Sequence, residues 1–83
     1  MKRVSAIEAS LNFWASSPLV VIDAKAGLPE IPDIEKIESV ALWHGRVMDF
    51  GNAIDSKPYT RKAVSSIGAI DNHIIMEVYD YEA

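Results

Sequence analysis

The amino-acid sequence predicts an α+β fold: a three-stranded, mainly antiparallel sheet with two helices on one face, in the order α-β-α-β-β. Three observations carry this. Apolar residues recur at helical spacing in two places, a short β-branched run lies between them, and the last third alternates about an Asp-Asn pair. The 83 residues read as one domain, 1–83. A chain of that size hides roughly 63% of its unfolded surface, sufficient for one modest core.

Val4, Ile7, Leu11 and Trp14 fall at helical spacing, with Ala6, Ala9 and Ala15 filling in. They predict a helix over 4–15, ended by Ser16-Ser17-Pro18. The run "PLVVIDA" that follows is short, continuous and rich in β-branched residues, which favours a buried strand over 19–23. Gly27, Pro29 and Pro32 then interrupt regular structure.

Asp33 suits an N-cap, and Glu35 adds favourable charge to the first turn. Ile34, Ile37, Ala41, His44 and Met48 make one stripe, widened by Val40 and Val47. This predicts a helix over 34–50 with Gly51 as its stop. Gly45 inside it costs about 1 kcal/mol against alanine. The competing reading of 34–50 is a hairpin turning at His44-Gly45.

In the last third, Ser56 would cap a helix through "KPYTRKAVSSIGAI", but Ser65, Ser66 and Gly68 are poor helix formers at its centre. A hairpin explains more. Asp71-Asn72 makes a two-residue turn, since both residue types tolerate the left-handed conformation. Ile70 then faces His73, Ala69 faces Ile74, Ile67 faces Met76, Ser65 faces Val78 and Arg61 faces Glu82. Ala63, Ile67, Ala69, Ile74, Met76 and Val78 form the predicted core face.

With both helices assigned to that face, nothing remains to cover the other. Its residues Lys62, Val64, Ile75, Tyr79 and Tyr81 are therefore the predicted partner-binding patch, Tyr79 opposite Val64 and Tyr81 beside Lys62. Tyrosine gives a large contact area at low entropy cost. The blander alternative is a few ordinary exposed apolar residues. A second candidate is the acidic group Glu30, Asp33, Glu35 and Glu38, whose simpler explanation is helix-start electrostatics. Lys57, Arg61 and Lys62 are the only basic cluster besides the amino terminus.

Composition narrows the function classes. Eight basic against twelve acidic residues give a net charge of −4, which disfavours duplex nucleic acid as a partner. The absence of cysteine excludes disulfides, thiolate metal sites and a cysteine nucleophile, and fits a cytoplasmic location. Lys2-Arg3 resembles the start of a signal peptide, but Glu8, Ser10 and Asn12 interrupt the apolar segment. No apolar run reaches membrane-spanning length. His44 and His73 lack placed carboxylates, so no metal site is predicted. Asp49-Phe50-Gly51 spells the kinase magnesium triplet without the rest of that machinery.

No cofactor or enzyme signature is found. The expectation is a non-catalytic protein-binding module of inhibitor or adaptor type, with a phage or mobile-element origin compatible with it. The alternative is a self-associating accessory subunit, a homodimer. A weaker one is a single-stranded nucleic-acid binder through Lys57, Arg61 and Lys62, stacking bases on Tyr59 and Tyr81.

Overall fold

The apolar run Pro18–Asp23 is a central strand, β1, and its position explains its composition. The structure is a computed structural model that describes residues 4–28 and 33–80. In it, β1 pairs antiparallel with β2 (Trp43–Arg46) and parallel with β4 (His73–Tyr79). β4 in turn pairs antiparallel with β3 (Ala63–Ile70). The result is one four-stranded sheet, ordered β2-β1-β4-β3. A strand with neighbours on both sides and cover on both faces has no polar side to present, so Leu19, Val20, Val21 and Ile22 run without alternation.

The two faces carry two cores. Leu19, Val21, Met76 and Val78 point one way and meet Ala6 and Ala9 of α1 (Ala6–Ser10) together with Trp43, Val47 and Phe50. Val20, Ile22 and Ile75 point the other way and meet Ile37 of α2 (Ile34–Val40). One helix thus serves each face, where the sequence had suggested both on one.

The predicted long first helix is shorter, and its buried side differs. Ser5 caps it, its hydroxyl oxygen accepting the Glu8 N–H at 3.3 Å while the hydroxyl donates to the Glu8 carboxylate at 3.0 Å. The helix stops after Ser10, whose hydroxyl bonds back to the Ile7 carbonyl at 2.7 Å. Ala6 and Ala9 face the sheet because small side chains let the helix lie close. Leu11 and Trp14, expected in the core, are left 79% and 82% exposed.

The predicted second helix ends at Val40, and neither reading of 34–50 survives beyond it. Ala41 takes an extended conformation, and the Leu42 N–H reaches the Val21 carbonyl at 2.8 Å. His44 and Gly45, the proposed hairpin turn, lie within β2 opposite Val20 and Leu19. The open edge of β1 supplies hydrogen bonds that no local pattern reveals, which is why a fourth strand replaces the rest of the helix. Two short 3₁₀ turns follow, Val47–Asp49 and Ile54–Tyr59.

The hairpin turns at Asp71 and Asn72, both left-handed with φ of 49° and 64°. Its register agrees with expectation from Ile70–His73 to Ile67–Met76. A bulge between Val64 and Ser66 then shifts it, placing Val64 opposite Val78 and Ala63 opposite Tyr79. The expected Ser65–Val78 and Val64–Tyr79 pairs are therefore replaced, and Glu82 lies outside the described residues. Of the expected core face, Ile67 and Ala69 are exposed: they lie on the edge strand β3 away from its start, where Ser5 bridges to Ala63.

Candidate functional site

The predicted tyrosine patch does not form one surface. Ile75 is 3% exposed and lies in the core under α2. Val64, turned over by the bulge, packs against the core on the opposite face. Lys62 forms an ion pair with Asp80, and Tyr79 is half-buried. Tyr81 lies outside the described residues. Hydrogen bonding from Lys62, and then its charge, holds the Asp80 carboxyl below its ordinary value, with Lys25 adding a smaller effect in the same direction.

Two members of the acidic group, Asp33 and Glu38, are occupied by local structure. Asp33 caps α2, its Oδ1 accepting the Glu35 N–H at 2.9 Å. Glu38 Oε2 sits 3.3 Å from His44 Nδ1. Glu35 is exposed, and Glu30 lies outside the described residues. His73 Nδ1 is 2.7 Å from its neighbour Asp71's carbonyl oxygen. Among the described residues no group of three or more metal-ligating side chains comes together.

A different surface emerges from the segments around α1. The chain leaving α1 makes a tight turn, with the Phe13 N–H bonded to the Ser10 carbonyl at 3.2 Å. That turn carries Leu11 and Trp14 outward. The first 3₁₀ turn is tied alongside, Val47 N–H to Ser17 O and Met48 N–H to Ala15 O, each at 2.9 Å. On the other side, the Ile7 N–H reaches the Thr60 carbonyl at 3.0 Å.

Between these walls lies a cleft of about 680 Å³. Ile7, Phe13, Val47 and Phe50 give it an apolar floor, and Leu11 and Met48 stand exposed at its edge. Trp14 sits between Phe13 and Ala15, which both line it. Ser10, Asn52 and Thr60 add polar atoms, and among the described residues Lys57 and Arg61 supply the only charges. Among the described residues, the lining holds no carboxylate, histidine or cysteine.

Gly51 makes the close wall possible. Its φ is 92°, and a Cβ there would stand 2.8 Å from Ile7 Cδ1. Its N–H donates to the buried Ser56 hydroxyl at 2.8 Å, which itself donates to the Ala53 carbonyl at 2.7 Å. The sequence-predicted basic cluster is thus divided, Lys57 and Arg61 joining the cleft while Lys62 pairs with Asp80. Leu11 and Trp14 were missed because helical spacing assigned them to the core. No protein family, curated protein or solved structure matches this chain.

Proposed function

We propose that this chain is a non-catalytic protein-binding module, of the kind that occupies a surface on a larger protein, and that the cleft beside α1 is its docking surface. The carrying observation is that Leu11 and Met48, both exposed, border one concave apolar floor, with the exposed Trp14 in the segment between the lining residues Phe13 and Ala15. Large apolar patches with aromatic, methionine and arginine side chains are the composition that interfaces favour. Tryptophan and arginine are also the residue types that dominate binding energy. Among the described residues the lining has no carboxylate, histidine or cysteine, which supports recognition over acid–base or thiol chemistry.

Affinity capture from the native host, with wild-type chain and a Leu11→Ala/Trp14→Ala double variant, tests this. The wild type is expected to retain a protein that the variant loses, with unchanged circular dichroism. Equal capture by the two overturns the assignment.

A second reading has its own observation. Among the described residues no strand pairs with the outer edge of β3 from Ser65 to Ala69, a stretch that is uncharged and exposed throughout. Its beginning is covered, with the Val64 N–H bonded to the Val4 carbonyl at 3.0 Å. An open uncharged edge is a template for pairing with a second copy. Light scattering across concentration tests it, and a monomer at all concentrations removes it.

A further inference from the structure

We infer that the segment docking in the cleft is acidic: a peptide presenting one or two large apolar side chains with carboxylates beside them. This rests on the cleft being a protein-binding surface, and adds the chemistry of what it binds. Charge distribution carries it. Acidic residues outnumber basic ones twelve to eight over the chain, yet the described residues of the cleft lining include Lys57 and Arg61 and no acid. Among the described residues neither cation takes part in an ion pair, whereas Lys62, adjacent to Arg61, is paired with Asp80.

Carboxylates on the neighbouring segments are directed elsewhere. Glu8 accepts from the Ser5 hydroxyl, and Asp55 accepts from the Trp43 indole at 3.1 Å. Asp49 is exposed and lies outside the lining. Among the described residues, then, no carboxylate pairs with either cation beside this apolar floor. A guanidinium grips a carboxylate in a planar, two-bond geometry, while an ammonium acts as a compact point charge.

The chain as a whole is net acidic, so two cations beside the apolar floor favour this cleft for an acidic segment and bias its orientation. The apolar floor supplies the affinity and the cations supply the selection. Duplex-like nucleic acid fits less well, because two cations in a net-acidic chain give little of the phosphate neutralisation such binding needs.

Selection from a random dodecapeptide phage library on the intact chain tests this, followed by fluorescence anisotropy with the enriched peptides. Enriched sequences are expected to place Asp or Glu next to Trp, Phe or Leu. Their affinity should fall about tenfold in Lys57→Glu/Arg61→Glu, and weaken as salt rises, since a Debye length is about 10 Å at 0.1 M. Lysine-substituted versions of the same peptides should bind the charge-reversed variant better than the wild type.

Peptides that need Leu11 and Trp14 but show no acidic bias, or ignore the charge reversal, overturn the inference and leave the cleft as a docking surface. Peptides bound equally by the Leu11→Ala/Trp14→Ala variant overturn the docking surface itself. An empty selection overturns the inference alone, since capture from the host decides the broader reading separately. A labelled oligothymidylate bound by the wild type and lost on charge reversal assigns the cations to single-stranded nucleic acid and overturns it as well.

Discussion

Trp43 Nε1 donates a hydrogen bond to Asp55 Oδ1 at 3.1 Å, joining β2 to the second 3₁₀ turn. The same indole stands 5.2 Å from the Phe50 ring, tilted by 46°. It also lies across Gly45, where a Cβ would come within 2.9 Å of Trp43 Cζ2 and Cη2. One side chain thus couples the edge strand to the segments that build the cleft, and the glycine is what lets it lie flat.

Asp55→Ala leaves the nearly buried indole N–H without its acceptor. Asp55 is exposed, so water replaces part of the lost bond, and the cost is expected near 1 kcal/mol. Gly45→Ala is expected to cost about 1–3 kcal/mol, because the ring must move off a packed position. Chemical denaturation midpoints check both. A Gly45→Ala variant as stable as the wild type would show that the indole has room to yield.

Ile37 is the only fully buried side chain of α2 and the lid on Val20, Ile22 and Ile75. Ile37→Ala should destabilise by about 2–5 kcal/mol, as truncation in a packed core does. Amide exchange in α2 should accelerate more than in β1. A neutral result would mean this face of the sheet is open after all.

The question of what covers the second face was not legible from sequence, and the reason is tertiary. Ile34, Ile37, Ala41, His44 and Met48 keep helical spacing across a boundary that the backbone crosses at Ala41. Only the unpaired edge of β1, distant in sequence, decides that Trp43–Arg46 becomes a strand. By contrast, Asp71-Asn72 was legible because left-handed backbone at two successive residues is a local demand on residue type. β1 was legible because burial on both faces writes itself into one short run.

Side-chain placement was less legible than element type. Apolar spacing weights Leu11 and Trp14 over Ala6 and Ala9, yet close packing selected the alanines. The bulge at Ser65 reversed Val64 by one residue's shift, and with it the expected patch. At the cleft, the sequence singled out Lys57 and Arg61, together with Lys62, as a basic cluster but gave no sign of the apolar floor beside the first two.

Lys62 and Asp80 give a pH prediction. The folded Asp80 value lies below its ordinary 3.8, so the pair's contribution is present above that value and is lost as pH falls through the lower folded one. Asp80 is fully exposed, so the effect on stability is small. The sharper readout is the Asp80 carboxyl titration by NMR. Lys62→Met should raise its midpoint toward the ordinary value, and an unmoved midpoint would show that the two side chains do not meet in solution.

The two tryptophans separate folding from binding. Trp43 is 6% exposed inside a core with Phe50, so Trp43→Ala should cost about 3–5 kcal/mol. Trp14 is 82% exposed, and Trp14→Ala should change stability by no more than about 0.5 kcal/mol, as surface substitutions do. Had helical spacing from Val4 to Trp14 set the core, both would be costly. A large bare indole contributes almost nothing to the isolated fold, so any strong effect of Trp14→Ala must appear when something docks over it. Denaturation of the two single variants, set beside capture by Trp14→Ala alone, measures that difference. A Trp14→Ala variant that unfolds easily would place Trp14 in the core and remove it from the docking surface.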